Sequence, residues 1–467
     1  MAGAAGAGSA AGAGGVSVDG AAGAAGTMGS GGAAGTGGAS GTGGSDGGPT
    51  GNDGSAEAGS DGAIDGQDAP TATGAVFSVG SFVKSAAVGQ QVVSHTLGQM
   101  PKALLVWTAG KTNEGLSAGF FYGVGVSDGV TTFALGMSTR DAVTPASSSR
   151  RIATKMITLV QAGETLVAEA DLASMSASNI TFNWTTNDGQ PYVVHYLAIG
   201  GPLVSAKVVN WQTPAAAGVK SVTSVGFEPE TVLHLHVGPS FVSTPPATQS
   251  NGLFGMGVMN KAGEQWAMQV ADVSSVSPTV STRAQRTDAA LYMYHAPTAV
   301  LNKAASFVSM DPTGFTLNFT TATSDLSQVV SLALAGLRSS VGTFNKSTST
   351  APASQSVPTP FTPGAVFLSS YQIAPQTAAV RESMCSWGVG ASDGMNEASS
   401  AMSAVDAVSP TSVDAVDKTS KAFIKMNTAP VDAEADLSSF DPTGFTLNWT
   451  TNDPVASQMC FWALGKQ

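Results

Sequence analysis

The stretch Asp441-Pro442-Thr443-Gly444-Phe445-Thr446-Leu447-Asn448-Trp449-Thr450-Thr451-Asn452-Asp453 decides how this chain is read. It recurs as Asp311-Pro312-Thr313-Gly314-Phe315-Thr316-Leu317-Asn318-Phe319-Thr320-Thr321 and, more loosely, as Asn179-Ile180-Thr181-Phe182-Asn183-Trp184-Thr185-Thr186-Asn187-Asp188. Asp-Pro-Thr-Gly joins the fixed φ of Pro to the positive φ open to Gly, which makes a turn. Phe445, Leu447 and Trp449 then alternate with Thr446, Asn448 and Thr450, so apolar and polar groups fall on opposite faces of a strand. One turn-and-strand unit is written three times.

Other landmarks hold the same register. Val79-Gly80-Ser81-Phe82 returns as Val341-Gly342-Thr343-Phe344, and Gly123-Val124-Gly125-Val126-Ser127-Asp128-Gly129 as Gly388-Val389-Gly390-Ala391-Ser392-Asp393-Gly394. The closing run Tyr196-Leu197-Ala198-Ile199-Gly200 matches Phe461-Trp462-Ala463-Leu464-Gly465. The first and third repeats keep their spacing over this tract, and the second diverges.

In the first repeat the alternation predicts nine strands: Val76–Lys84, Gln91–Thr96, Ala103–Thr108, Phe120–Ser127, Thr132–Ser138, Ile152–Leu159, Thr165–Leu172, Ile180–Thr186 and Tyr192–Ile199. No helical period interrupts them. The expected fold is all-β: three tandem antiparallel β-sandwich domains of jelly-roll type, at 75–201, 202–338 and 339–467. They follow a Gly/Ala-rich segment, 1–74, expected to be a disordered tether because it has too little apolar surface to offset ordering. Joins as short as Gly200-Gly201-Pro202 favour packed neighbours, as a homo-oligomer or a pseudo-threefold monomer.

Composition narrows the functions. Charged residues make up 11% of the 467, against about 25% in an ordinary soluble domain. The net charge of −12 excludes a nucleic-acid partner, which requires a basic stripe. No apolar run reaches the ~20 residues of a membrane helix. The amino terminus lacks a secretion signal, yet the composition suits an extracellular or cell-surface protein whose leader has been removed. The two cysteines, Cys385 and Cys460, are read as buried small apolar groups or as a disulfide.

Acidic residues form the leading site candidate. Glu169 and Asp171 recur as Glu434 and Asp436, and Asp128 recurs as Asp393. Three readings stand: a solvated polar face, a calcium site of carboxylates and loop carbonyls, or an acid/base pair for glycoside hydrolysis. The last needs carboxyls opposed across a cleft, which two on one strand do not provide. His234 and His236 share a strand face, but no third metal ligand accompanies them. Phe182, Trp184, Phe315, Phe319, Phe445 and Trp449 are expected in the core, while Trp107, Trp211, Trp266 and Trp387 remain candidates for stacking on a sugar.

The Gly226-Phe227-Glu228-Pro229-Glu230-Thr231-Val232 element, with the closing Gly-Phe-Thr-Leu-Asn-Trp run, resembles an uncharacterised β-domain of phage structural proteins and secreted bacterial proteins. The Gly/Ala/Asp runs resemble the spacers of myxobacterial surface lipoproteins, without their anchoring Cys. The resemblance implies a structural or recognition role and supplies no catalytic residues. The expected function is a non-enzymatic surface protein for assembly or adhesion, with protein subunits or surface glycans as partners. A carbohydrate-binding array and a virion fibre or decoration protein are the alternatives.

Overall fold

The computed structural model describes residues 74–298, 300–372, 374 and 380–467. The segment expected as a tether lies outside the described residues apart from Gly74. Among those residues the chain is strand and loop without helix, and every strand pairing is antiparallel.

Six sheets form, three of seven strands and three of four. The first large sheet runs Val76–Val83, Val193–Gly200, Ala103–Thr108, Phe120–Ser127, Thr132–Thr139, Ser148–Ala153 and Ala247–Ser250. Its small companion runs Gly89–Ser94, Asn179–Thr186, Thr165–Met175 and Ile157–Gln161. The same order recurs in the second repeat, from Ser205–Gln212 to Ser281–Arg286, and in the third, from Arg338–Asn345 to Val413–Lys418.

The apolar run Ile152–Leu159, expected as one strand, is two. It breaks at Thr154-Lys155-Met156, where the chain leaves the large sheet at Ala153 and enters the small one at Ile157. Both halves are apolar because both sheets bury a face, so periodicity alone does not register the crossing.

Each small sheet covers one face of its large sheet. Phe182 and Trp184 of the small sheet pack with Leu104, Val106, Val194 and Tyr196 of the large one. Phe315 and Phe319 do this in the second repeat, Phe445 and Trp449 in the third, and all six rings are at most 1% exposed. The Gly-Val-Gly-Val run follows from this two-sided burial. Val124 and Val126 face the second core, while Gly125 lies under the opposite layer, where a Cβ would come 1.9 Å from the Met156 carbonyl oxygen. Gly257 and Gly390 meet Ala290 and Ala422 in the same way, at 2.0 and 2.1 Å.

The other faces of the three large sheets meet in one shared core. Tyr122 of the first repeat, Phe254 of the second and Trp387 of the third touch there, with ring centroids 4.8–6.3 Å apart. The thirds also trade strands. Ala247–Ser250 of the second repeat is the seventh strand of the first large sheet. Val380–Ser383 of the third completes the second, and Ser117–Ala118 of the first completes the third. The exchange is cyclic, and residues 74–467 are one body instead of three separable ones.

Candidate functional site

One set of polar side chains gathers where one repeat meets the next. The opening strands Val76–Val83, Ser205–Gln212 and Arg338–Asn345 each lie at a sheet edge, with backbone groups no strand neighbour can pair. A carboxylate of the preceding repeat caps the same position on each. Asp128 accepts from the Val208 amide at 2.9 Å, Glu264 from Val341 at 2.8 Å, and Asp393 from Val79 at 2.8 Å. Asp128 and Asp393 also close their own turns by accepting from Val130 and Thr131, and from Met395 and Asn396. In the second repeat the Glu264 amide donates to Asn260 Oδ1 and Asn260 Nδ2 donates to Glu264 Oε2, the oxygen that also caps Val341.

A second set of side chains holds the loop after the third strand of the next repeat. Arg150 donates to the Val237 carbonyl at 2.6 Å, and Arg283 to that of Tyr371 at 2.9 Å. Arg150 is almost fully buried, and desolvation lowers its pKa to about 10. At the third seam the polarity inverts: Asp417 accepts from the amides of Ala109 and Lys111 at 3.1 and 3.2 Å. His195 Nε2 lies 3.3 Å from the same carboxylate and its Nδ1 2.7 Å from Ser81 Oγ. The Ser81–His195–Asp417 line resembles a nucleophilic triad only in composition. His195 and Asp417 are wholly buried, and Asp417 is already shared with Ser400 and two backbone amides, so the line acts as joinery.

A third contact set binds three matched loops. Ala142 donates to Thr411 at 3.0 Å, Ser275 to Ala146 at 2.7 Å and Ala407 to Thr279 at 3.0 Å, all through backbone. The return bonds run from Thr411 to Val143, Ala146 to Val276 and Thr279 to Val408. Ala142, Ser275 and Ala407 hold φ of 55°, 64° and 58°. Such a conformation costs a non-glycine residue of order 1 kcal/mol, and it occurs here at three equivalent places. Thr144 and Ser277 each bring a hydroxyl within 3.2 Å of Ser409.

The acids singled out from sequence do not converge. Glu169 accepts from Arg151 at 2.8 Å and from Thr158 at 2.8 Å, and Asp171 pairs with Lys155 at 2.8 Å. Glu434 lies 3.8 Å from Lys418, and Asp436 pairs with Lys421 at 2.8 Å. Asp128 and Asp393 face the adjoining repeat instead. Among the described residues no group of three or more His, Cys, Asp or Glu could hold a metal ion.

His234 and His236 are fully buried, which lowers each pKa to about 3 and keeps both rings neutral. Trp107, Trp211, Trp266 and Trp387 are at most 8% exposed. Their faces are spent on packing, which corrects the expectation that one or two of them stack on a sugar. Cys385 and Cys460 are buried and unbonded. No helix among the described residues is long and apolar enough to cross a membrane.

Sequence alone missed Glu264, Arg150, Arg283 and Asp417. Glu264 was hidden because the second repeat lacks Ser-Asp-Gly: Asn260 stands where Asp128 and Asp393 stand, and the capping acid comes four residues later. No family model, no curated protein and no solved structure matches the chain.

Proposed function

We propose that this chain is a non-enzymatic structural or adhesive protein of the cell exterior. In this reading three β-sandwich, jelly-roll-like repeats close around a pseudo-threefold axis into a single head, carried behind a Gly/Ala-rich amino-terminal segment. One observation supports it most: at all three seams buried or half-buried polar side chains hold the same strand edge and the same loop of the next repeat, joining repeat to repeat. Asp128, Glu264 and Asp393 cap edge strands, and Arg150, Arg283 and Asp417 fasten loops. Capped edges suit a protein that must stay folded at high local concentration without pairing to its neighbours. Its partners are then other protein subunits or a surface, met by the outside of the head.

Protease treatment of intact producing cells, followed by immunodetection of residues 74–467, tests this. Loss of the signal from unbroken cells is expected. A signal lost only after lysis would contradict the placement and, with it, the function.

A further inference from the structure

Two of the three repeats bury an ammonium directly against a side-chain amide. Lys84 follows the first strand, its side chain is 0% exposed, and Nζ touches Asn187 Oδ1. Asp188 Oδ1 lies 3.2 Å from the same nitrogen, and the Trp184 and Tyr192 rings flank it at 5.3 and 5.5 Å. Tyr192 donates its hydroxyl to the other Asp188 oxygen at 2.5 Å. The third repeat rebuilds the group: Lys346, also 0% exposed, touches Asn452 Oδ1, lies 3.0 Å from Asp453 Oδ1 and sits 5.4 Å from the Trp449 ring. There Lys425 also donates to Asp453.

The asparagines are held as firmly as the lysines. Asn187 Nδ2 donates to the Ser85 and Ala87 carbonyls at 2.8 and 2.9 Å, and Asn452 Nδ2 to those of Ser347 and Ser349 at 3.0 and 2.7 Å. The second repeat lacks the amide and the carboxylate, and there a buried lysine of another strand, Lys303, donates to the Pro214 and Thr323 carbonyls instead. That repeat's matching residues are Thr213, Phe319, Ala322 and Thr323. A common backbone bond fixes that match, from Lys84 to Tyr192, Thr213 to Ser327 and Lys346 to Ser457. Charge compensation explains a Lys and an Asp. It does not require an Asn amide pressed on the nitrogen, and the buried Lys303 of the second repeat is satisfied by carbonyls with no Asn beside it.

We propose that Lys84 joins Asn187, and Lys346 joins Asn452, through intramolecular isopeptide bonds formed by the chain itself. Asp188 and Asp453 carry the protons. The carboxylate takes a proton from the ammonium, and the neutral amine adds to the side-chain carbonyl carbon of the asparagine. The new Nζ–Cγ bond forms, the carboxyl returns its proton to Nδ2 and the Cγ–Nδ2 bond breaks; the carboxylate then takes the second proton from Nζ and passes it to the departing ammonia, which leaves as ammonium. No oxidant, metal or external co-reactant enters. Burial favours the first step, since desolvation lowers the pKa of both lysines. Each bond ties the end of a first strand to the loop after Asn179–Thr186 or Gly444–Thr451.

Mass spectrometry of the purified full chain tests this. The intact mass is expected to fall below the sequence mass by two molecules of ammonia. Proteolysis should yield two branched peptides, Lys84 to Asn187 and Lys346 to Asn452. K84R and D188N should each restore one ammonia and abolish only the first branched peptide. Linear peptides carrying free Lys84 and Asn187, or a loss of two ammonias that persists in K84R and so marks a cyclised Asn187, would overturn the proposal. The branched peptides of the wild-type chain decide the matter even where a variant folds poorly.

Discussion

The carboxylate of Asp393, near the end of the chain, accepts a hydrogen bond of 2.8 Å from the backbone amide of Val79, near the start of the described residues. The two other seams have the same bond at the same place, with a linker crossing each of them. Here no linker helps, and the seam is held by such contacts, by the pairing of Ser117–Ala118 with Val413–Lys418 and by the shared core. D393A should therefore cost stability directly. A hydrogen bond to a charged acceptor contributes ~1.5–3 kcal/mol, so an unfolding free energy lowered by that amount is expected from urea titration, and an unchanged value would mean the cap carries no stability.

Trp449 is fully buried in the core between the third large and small sheets, and its Nε1 donates to Gln355 at 2.8 Å. W449A removes the ring and orphans the Gln355 acceptor, for an expected loss of about 3–5 kcal/mol. Equilibrium unfolding measures it, and a loss below about 1 kcal/mol would place the ring at the surface.

Glu397 accepts from the Leu437 amide at 2.5 Å, and burial raises its pKa to about 7. The folded state then binds this proton more tightly than the unfolded chain does. The stability it contributes is full below the unfolded value of 4.5 and is lost as pH rises through about 7. Gln265 makes the matching bond to Phe307 at 2.8 Å without a charge. E397Q should leave stability unchanged at pH 4 and raise it at pH 8 by on the order of 1 kcal/mol, reduced from the full shift because the side chain is partly exposed. Equal gains at both pH values would contradict the assignment.

Calcium and chelator should leave the thermal midpoint where it is. Glu169, Asp171 and Asp436 are each within 2.8 Å of a cation of the same chain, and Asp128 and Asp393 are spent on backbone amides. A midpoint raised by several degrees in millimolar calcium would restore the metal reading.

Much of the strand pattern is legible in the sequence, because a half-buried strand writes its two faces in alternation. Ala103–Thr108 and Phe120–Ser127 fall as expected, and Val76–Val83 and Asn179–Thr186 fall within one residue. The exchanged strands are not legible. Ser117–Ala118 has two exposed residues and no pattern, and its pairing with Val413–Lys418 is a relation between distant parts of the chain. The acidic residues recur visibly, but what they bind does not, since the partners of Glu169 and Asp171 are Arg151 from another strand and Lys155 from the break between two strands. Lys84 and Lys346 passed unnoticed because a lysine beside a strand end reads as solvated surface until its burial is seen.

Closure of the last repeat onto the first is the claim on which the rest depends, and one cross-link measures it. Ala118 and Asp414 are direct partners across that seam, and opposed residues of an antiparallel pair bring their Cα atoms to about 4.5–5.5 Å, within disulfide reach. The pair A118C and D414C, made with the buried Cys385 and Cys460 in place, should oxidise within one chain. The product should migrate faster on a non-reducing gel and return to normal on reduction. Free thiols that persist under oxidation, or cross-linking only between chains, would show that the ring is open.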